Sequence, residues 1–182
     1  DKSVYLKIKK FKAFGIDKDI NERKRPGFYD VKGLGYNYRM TDFQAALGYK
    51  QMKNYKLNLE RRLKLAKRYI KNLEKCKKVK FPKFSKNNSY FVFQILCKKR
   101  DELLEKLKLN KIGTSIHYAV PLPKMTYYKN KYKLPINKYK NANQYCNQNI
   151  SLPIYPLLKN REVDFICDKI KKNFNKWKKK YF

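Results

Sequence analysis

Between residues 3 and 14, the apolar positions Val4, Ile8 and Phe11 fall at helical spacing, and Gly15 supplies a C-terminal stop, so the chain opens on a helix. Residues 17–35 are polar, carry Pro26 and three glycines, and read as a long loop, a length that usually has a functional reason. A second helix begins at Thr41. Thr41 and Gln44 form a T-x-x-Q capping box, and Asp42 places a negative charge at the positive helix end. Phe43, Leu47, Met52, Tyr55, Leu59, Leu63, Ala66, Ile70 and Leu73 then recur mostly every three or four residues. Unbroken to Lys75, this helix would span about 50 Å at 1.5 Å per residue. It should therefore either bridge two domains or kink near Gly48 or Asn54.

Beyond Pro82 the pattern shortens. Residues 89–97 are aromatic and β-branched and predict a strand, and residues 101–109 predict a short helix with Leu103, Leu104 and Leu107 on one face. Residues 112–118 read as a second strand, residues 121–140 as an excursion rich in Pro, Lys and Tyr, and residues 141–149 as a helix. Residues 151–155, cut by Pro153, read as a short edge strand. Asn160 is expected to cap a last helix that buries Val163, Ile166, Ile170, Phe174 and Trp177. The order predicts an α+β fold, a small, mostly antiparallel sheet covered by helices. The expected divisions are residues 1–40, a connecting helix over 41–79, and a compact α+β domain over 80–182. There is no internal repeat.

Composition narrows the class. The 182 residues are 42% hydrophobic, enough for a core, yet no apolar run approaches the roughly 20 residues of a membrane span. The first residues already read as helix, so no signal peptide is expected, and the missing initiator methionine reads as a start inside a longer protein. The net charge of +33 would suit an anionic partner. However, only 8 of the 47 basic residues are Arg, and the lysines are spread over nearly every segment. Together with abundant Asn, Ile, Tyr and Phe, this reads as A/T-rich coding more than as a surface built for bidentate phosphate or base contacts. The four cysteines form no C-x-x-C pair and there is one histidine, which argues against a zinc site and against a disulfide scaffold. Thiols in a reducing cytoplasm are the expectation.

Two blocks carry candidate chemistry. In residues 33–42, Gly-Leu-Gly-Tyr-Asn-Tyr-Arg-Met-Thr-Asp, glycines that allow close backbone approach precede Asn37, Arg39 and a capped helix start. That arrangement suits an anion site, and equally a tight turn whose Asn and Arg satisfy local carbonyls. Residues 113–118, Gly-Thr-Ser-Ile-His-Tyr, contain His117, the one histidine. No carboxylate or nucleophile lies near it in sequence, so it is either a hydrogen-bonded structural residue or a ligand contact, and no triad can be built on it.

Residues 33–48, residues 113–128 (including Tyr127 and Tyr128) and the run Ser-Leu-Pro-Ile-Tyr-Pro-Leu-Leu at 151–158 resemble the DegT/DnrJ/EryC1/StrS family of sugar aminotransferases. The opening residues 6–15 resemble the helix that follows the family's cofactor-lysine segment. The four blocks stand in family order and cover nearly the whole chain.

The resemblance implies the aspartate aminotransferase-like fold (fold type I), in which a large domain holds pyridoxal 5'-phosphate on a lysine and a small C-terminal α+β domain closes the site. It implies glutamate as amino donor, a nucleotide-activated keto sugar as acceptor, and a cytoplasmic homodimer with shared active sites, working in surface-glycan or amino-sugar biosynthesis. In relatives the cofactor lysine lies upstream of the position of Asp1. The resemblance therefore makes residues 1–40 a remnant of the large domain with its interface loop, and the chain by itself inactive. By carry-over, Asn37 binds the cofactor phosphate in the neighbouring subunit, Arg39 has phosphate or interface duty, and His117, Tyr118, Tyr127 and Tyr128 contact substrate. A related sugar dehydratase, with histidine at the lysine position, is an alternative. A basic noncatalytic nucleic-acid-binding protein is the rival from another class, resting on charge alone.

Overall fold

In the computed structural model the described residues are 1–178 apart from Asp19 and residues 136–137. The side chains of residues 175–178, and residues 179–182, lie outside that description, and the expectation for Trp177 lies there with them. The chain divides into two compact units, Asp1–Asn54 and Tyr55–Phe182.

The first unit opens with helix α1 (Lys2–Phe11), capped by Asp1, whose carboxylate accepts the Ser3 N–H at 2.7 Å. The chain turns at Gly15 (φ +72°), whose N–H bonds Lys10 O at 2.9 Å. A single 3₁₀ turn (Ile20–Glu22) punctuates the loop that follows. Residues 36–38 then return antiparallel to residues 11–14: Tyr36 N–H donates to Phe11 O (2.7 Å), Phe14 N–H to Tyr36 O (3.0 Å) and Tyr38 N–H to Lys12 O (2.9 Å). Among the described residues Ile16 is the one buried apolar side chain of this unit, so backbone hydrogen bonds, more than a core, define its shape.

Helix α2 (Asp42–Leu73) is continuous for 32 residues and passes the division between the units. The capping box forms as its spacing predicts: Thr41 N–H donates to Gln44 Oε1 (2.9 Å) and Gln44 N–H to Thr41 Oγ1 (3.3 Å). Only the second half of α2 is buried, at Leu65, Ala66, Tyr69 and Leu73.

The second unit is built on three short antiparallel strands, β1 (Val79–Lys80), β2 (Phe93–Cys97) and β3 (Asn149–Leu152), in the order β1-β2-β3. Phe93, Ile95 and Cys97 of β2 and Ile150 and Leu152 of β3 face a core shared with α2, α3 (Arg100–Leu109) and α6 (Asn160–Lys178). Tyr69 stacks on Phe93 (4.8 Å between ring centres), and its hydroxyl donates to Pro153 O at 2.8 Å. Val163, Ile166, Ile170 and Phe174 form the buried face of α6, as their spacing predicts. Arg68 grips Asp164 with two bonds (2.7 and 2.6 Å), and Asn72 adds a third (2.7 Å), joining α2 to α6. Helix α4 (Thr126–Tyr132) and a 3₁₀ turn (Leu122–Lys124) occupy the excursion, and α5 (Lys140–Gln148) leads directly into β3. No helix among the described residues is long and apolar enough to cross a membrane.

Three local expectations are corrected. The strand over 89–97 begins only at Phe93, because the Asn88 side chain takes the Tyr90 N–H (2.8 Å) and Tyr90 adopts φ +45°. Residues 112–118 are not a strand but make one isolated bridge, Ser115 to Ser151, because side chains claim the backbone groups of His117. Asn160 does not cap α6: its carbonyl oxygen accepts Arg61 Nη1–H (3.0 Å), and Glu162 reaches back to the Lys159 N–H instead (2.6 Å).

Candidate functional site

The candidate residues fall in both units, and each group is described within its own. In the first unit, Asn37 sits on the returning segment, bridged to Ala13. Gly35 makes that return possible. A Cβ placed there would lie 1.9 Å from Gly15 N and 2.4 Å from Phe14 C, while one on Gly15 would lie 1.9 Å from Gly33 O. The close approach that these glycines allow is made to the protein's own backbone. The Asn37 side chain is exposed and has no hydrogen-bond partner among the described residues. Arg39 lies over the Phe14 ring at 5.4 Å and lines a cleft of about 370 Å³ with Lys12, Lys18 and Arg23. Four cationic side chains around one opening favour an anion.

In the second unit the site lies on the sheet face opposite the core. Along β2 and β3 the period of two sends Phe93, Ile95, Ile150 and Leu152 to the core and Gln94, Asn149 and Ser151 to the other face. Gln94 stands opposite Ser151 in register. These three polar side chains hold residues 115–118. Gln94 Nε2–H donates to His117 O (2.7 Å), and its Oε1 accepts from the Tyr145 hydroxyl (2.5 Å). Asn149, which is 0% exposed, accepts the His117 N–H at Oδ1 (3.0 Å) and donates from Nδ2 to Tyr118 O (3.1 Å) and Tyr145 O (3.0 Å). Ser151 Oγ is 2.8 Å from His117 Nδ1, and the backbones of Ser115 and Ser151 exchange both hydrogen bonds (3.2 and 2.7 Å).

His117 is thus half-buried and fixed from three sides, while Tyr118 lies exposed, edge-on to the imidazole at 5.6 Å. The Tyr145 phenol is pushed above its ordinary range by burial, partly offset by the bond to Gln94. Tyr127 and Tyr128 lie on α4 and pack on their own helix: Tyr127 accepts from Lys131 Nζ (3.1 Å) and Tyr128 stacks on Tyr132. No hydrogen bond or ring contact among the described residues joins them to His117 or Tyr118.

Sequence reasoning found His117 and missed Gln94, Tyr145, Asn149 and Ser151. The available signal was the alternation Asn-Ile-Ser-Leu at 149–152, which sets two polar residues on one face of a strand buried at all four positions. Among the described residues no group of His, Cys, Asp or Glu could hold a metal ion.

The first unit thus carries a cationic cleft, and the second a polar sheet face that grips a His-Tyr turn. Residues 1–171 match the DegT/DnrJ/EryC1/StrS aminotransferase family, and the chain belongs to it. The UDP-4-amino-4,6-dideoxy-N-acetyl-beta-L-altrosamine transaminase of Campylobacter jejuni is 33% identical over 96% of this chain and 46% of its own length. Among solved structures, Spr1654 from Streptococcus pneumoniae in its PMP form superposes with a TM-score of 0.85 at 25% identity, over 97% of this chain and 46% of that one. Helicobacter pylori PseC, an aminotransferase involved in the biosynthesis of pseudoaminic acid, also gives 0.85, at 24% identity over 97% and 47%. The α+β fold read from the sequence is the fold these structures share. The chain spans about half the length of the curated relatives it matches.

Proposed function

We propose that this chain is the C-terminal part of a pyridoxal-phosphate-dependent aminotransferase that moves an amino group from glutamate to a nucleotide-linked keto sugar, in surface-glycan or amino-sugar biosynthesis. The observation that carries the proposal is the family match over residues 1–171, which takes in both candidate segments. On this reading residues 1–40 end the large domain, residues 41–79 form the connecting helix and residues 80–182 the small domain. The parent acts as a cytoplasmic homodimer whose active sites are shared.

Pyridoxal phosphate, when bound, supplies the electron sink for amino transfer, and the protein supplies its orientation. The residues present fit its phosphate: Asn37 offers an uncommitted amide donor, and Arg39 belongs to a cationic cleft of the same unit. Asn37 and Arg39 hold the phosphate in the partner subunit's site. His117 and Tyr118 meet the sugar nucleotide, with Tyr127 and Tyr128 as outer contacts. The nucleic-acid rival is weakened by the arginines of the second unit. Of its five, Arg61, Arg62 and Arg100 donate to backbone carbonyls and Arg68 is committed to Asp164, which leaves Arg161 as the one without a described hydrogen bond.

The test is a cofactor titration of the full-length dimer carrying Asn37→Ala. Loss of one hydrogen bond to a charged group, about 1.5–3 kcal/mol, should weaken the cofactor roughly tenfold to a hundredfold while the fold survives. Unchanged affinity would leave Asn37 as a turn residue.

A further inference from the structure

A histidine side chain can meet a ligand as donor or as acceptor, depending on which ring nitrogen carries the proton, and that choice is made by the group bonded to the other nitrogen. At His117 the other group is Ser151 Oγ, 2.8 Å from Nδ1. Ser151 is 5% exposed, and among the described residues its hydroxyl has no second partner. A buried hydroxyl needs an acceptor for its proton, and Nδ1 is the acceptor within reach. If Nδ1 carried the proton, it would donate to Oγ and leave the serine O–H without an acceptor inside the protein. We infer that Ser151 is a positioning residue that holds His117 as the Nε2–H tautomer, so that the histidine meets its ligand as a hydrogen-bond donor toward an oxygen acceptor.

The surroundings keep the ring available for that one bond. Asn149 takes the N–H of His117 and the carbonyl of Tyr118, and Gln94 takes the carbonyl of His117, so the backbone on both sides of the ring is held by side chains. Gln94 and Asn149 are positioning residues of the same kind, acting on the main chain where Ser151 acts on the ring. The oxygen acceptor belongs to the sugar nucleotide (a phosphoryl, hydroxyl or carbonyl oxygen). This last step rests on the proposed reading of His117 as a substrate contact; the tautomer does not.

His117 is the single histidine of the chain, so its two ring nitrogens can be read without ambiguity by long-range proton–nitrogen NMR of the labelled protein. A spectrum recorded under alkaline conditions reports the tautomer of a neutral imidazole. The expected result is a pyridine-type Nδ1 and a pyrrole-type Nε2, with the Nε2–H form in roughly tenfold excess or more. Ser151→Ala should move Nδ1 to the position of an unbonded pyridine nitrogen and admit a larger share of the other form. Ser151→Thr, which keeps a hydroxyl, should restore the wild-type pattern. A wild-type spectrum dominated by Nδ1–H overturns the inference, and so does a Ser151→Ala spectrum indistinguishable from wild type. The wild-type measurement stands even where a variant fails to fold. Because no ligand is present, a failure of the substrate reading leaves this spectrum unchanged, and the two failures are told apart.

Discussion

Asn149→Ala tests the energetic role of the polar sheet face directly. The wild-type amide touches four backbone groups, but their dependence on it differs. Tyr145 O also accepts the backbone N–H of Asn149, and Cys146 O also accepts Arg100 Nη1–H, so both stay bonded in the variant. His117 N–H and Tyr118 O have no other partner among the described residues and are orphaned. Each unsatisfied group costs about 1–3 kcal/mol, less where water reaches it, and Tyr118 lies near solvent. The sum is about 2–4 kcal/mol, a large share of an ordinary domain's stability. At about 3–4 °C per kcal/mol for a unit of this size, the melting temperature should fall by roughly 6–16 °C. Asn149→Asp sharpens the test. A carboxylate keeps the acceptor for His117 N–H but presents a second acceptor to Tyr118 O, and burial raises its pKa above the ordinary value of about 3.9. A raised folded-state pKa gives stability that is present below the unfolded value and lost as pH rises through the folded one. Measured relative to wild type by urea denaturation, the Asp variant should approach wild type near pH 4 and fall to the Ala level or below at pH 7. An Ala variant within about 0.5 kcal/mol of wild type, or an Asp variant with no relative pH dependence, would refute the reasoning.

Gly35→Ala should open the first unit, because its Cβ would lie 1.9 Å from Gly15 N, a backbone atom that cannot rotate away. Hydrogen exchange should show lost protection at the Phe14, Tyr36 and Tyr38 amides with the second unit unchanged; retained protection would contradict the contact. Burial pushes the Cys167 thiol up to about 12 from its ordinary value of 9.0. The folded state thus holds that proton more tightly, and its contribution is complete below about pH 9 and lost as pH rises toward 12. Cys167→Ala should flatten the alkaline decline in unfolding free energy, measured by urea denaturation, by up to about 1.4 kcal/mol per pH unit, and an identical slope would rule the thiol out.

The helices were legible because their signals are local. Thr41 and Gln44 stand three apart and form the capping box, and Val163, Ile166, Ile170 and Phe174 repeat with the helical period and are buried. The strands were less so. At 89–93 a side chain, Asn88, wins a backbone donor that the ladder would otherwise use. At 112–118 the residues that decide the conformation, Gln94 and Asn149, lie 23 and 32 positions from His117, and no window of sequence contains both. Asn160 shows the same competition at a helix end, where Arg61, 99 residues away, takes the expected cap. The candidate site was found where a single residue type marked it, at His117, and missed where its meaning depended on what stood opposite.

The exposed apolar groups of the first unit bear on how the protein behaves as a colloid. Phe43, Leu47 and Met52 on the first half of α2, with Val4, Ile8 and Phe11 on α1, lie open on a chain carrying +33 charges. At low ionic strength, copies repel before such groups can touch. The screening length falls from about 10 Å at 0.1 M salt to about 3 Å at 1 M, shorter than a lysine side chain's reach. Electrolyte therefore removes the barrier while leaving the apolar attraction in place, so this chain should disperse best in dilute buffer and self-associate as salt is raised, opposite to proteins whose association is held by ion pairs.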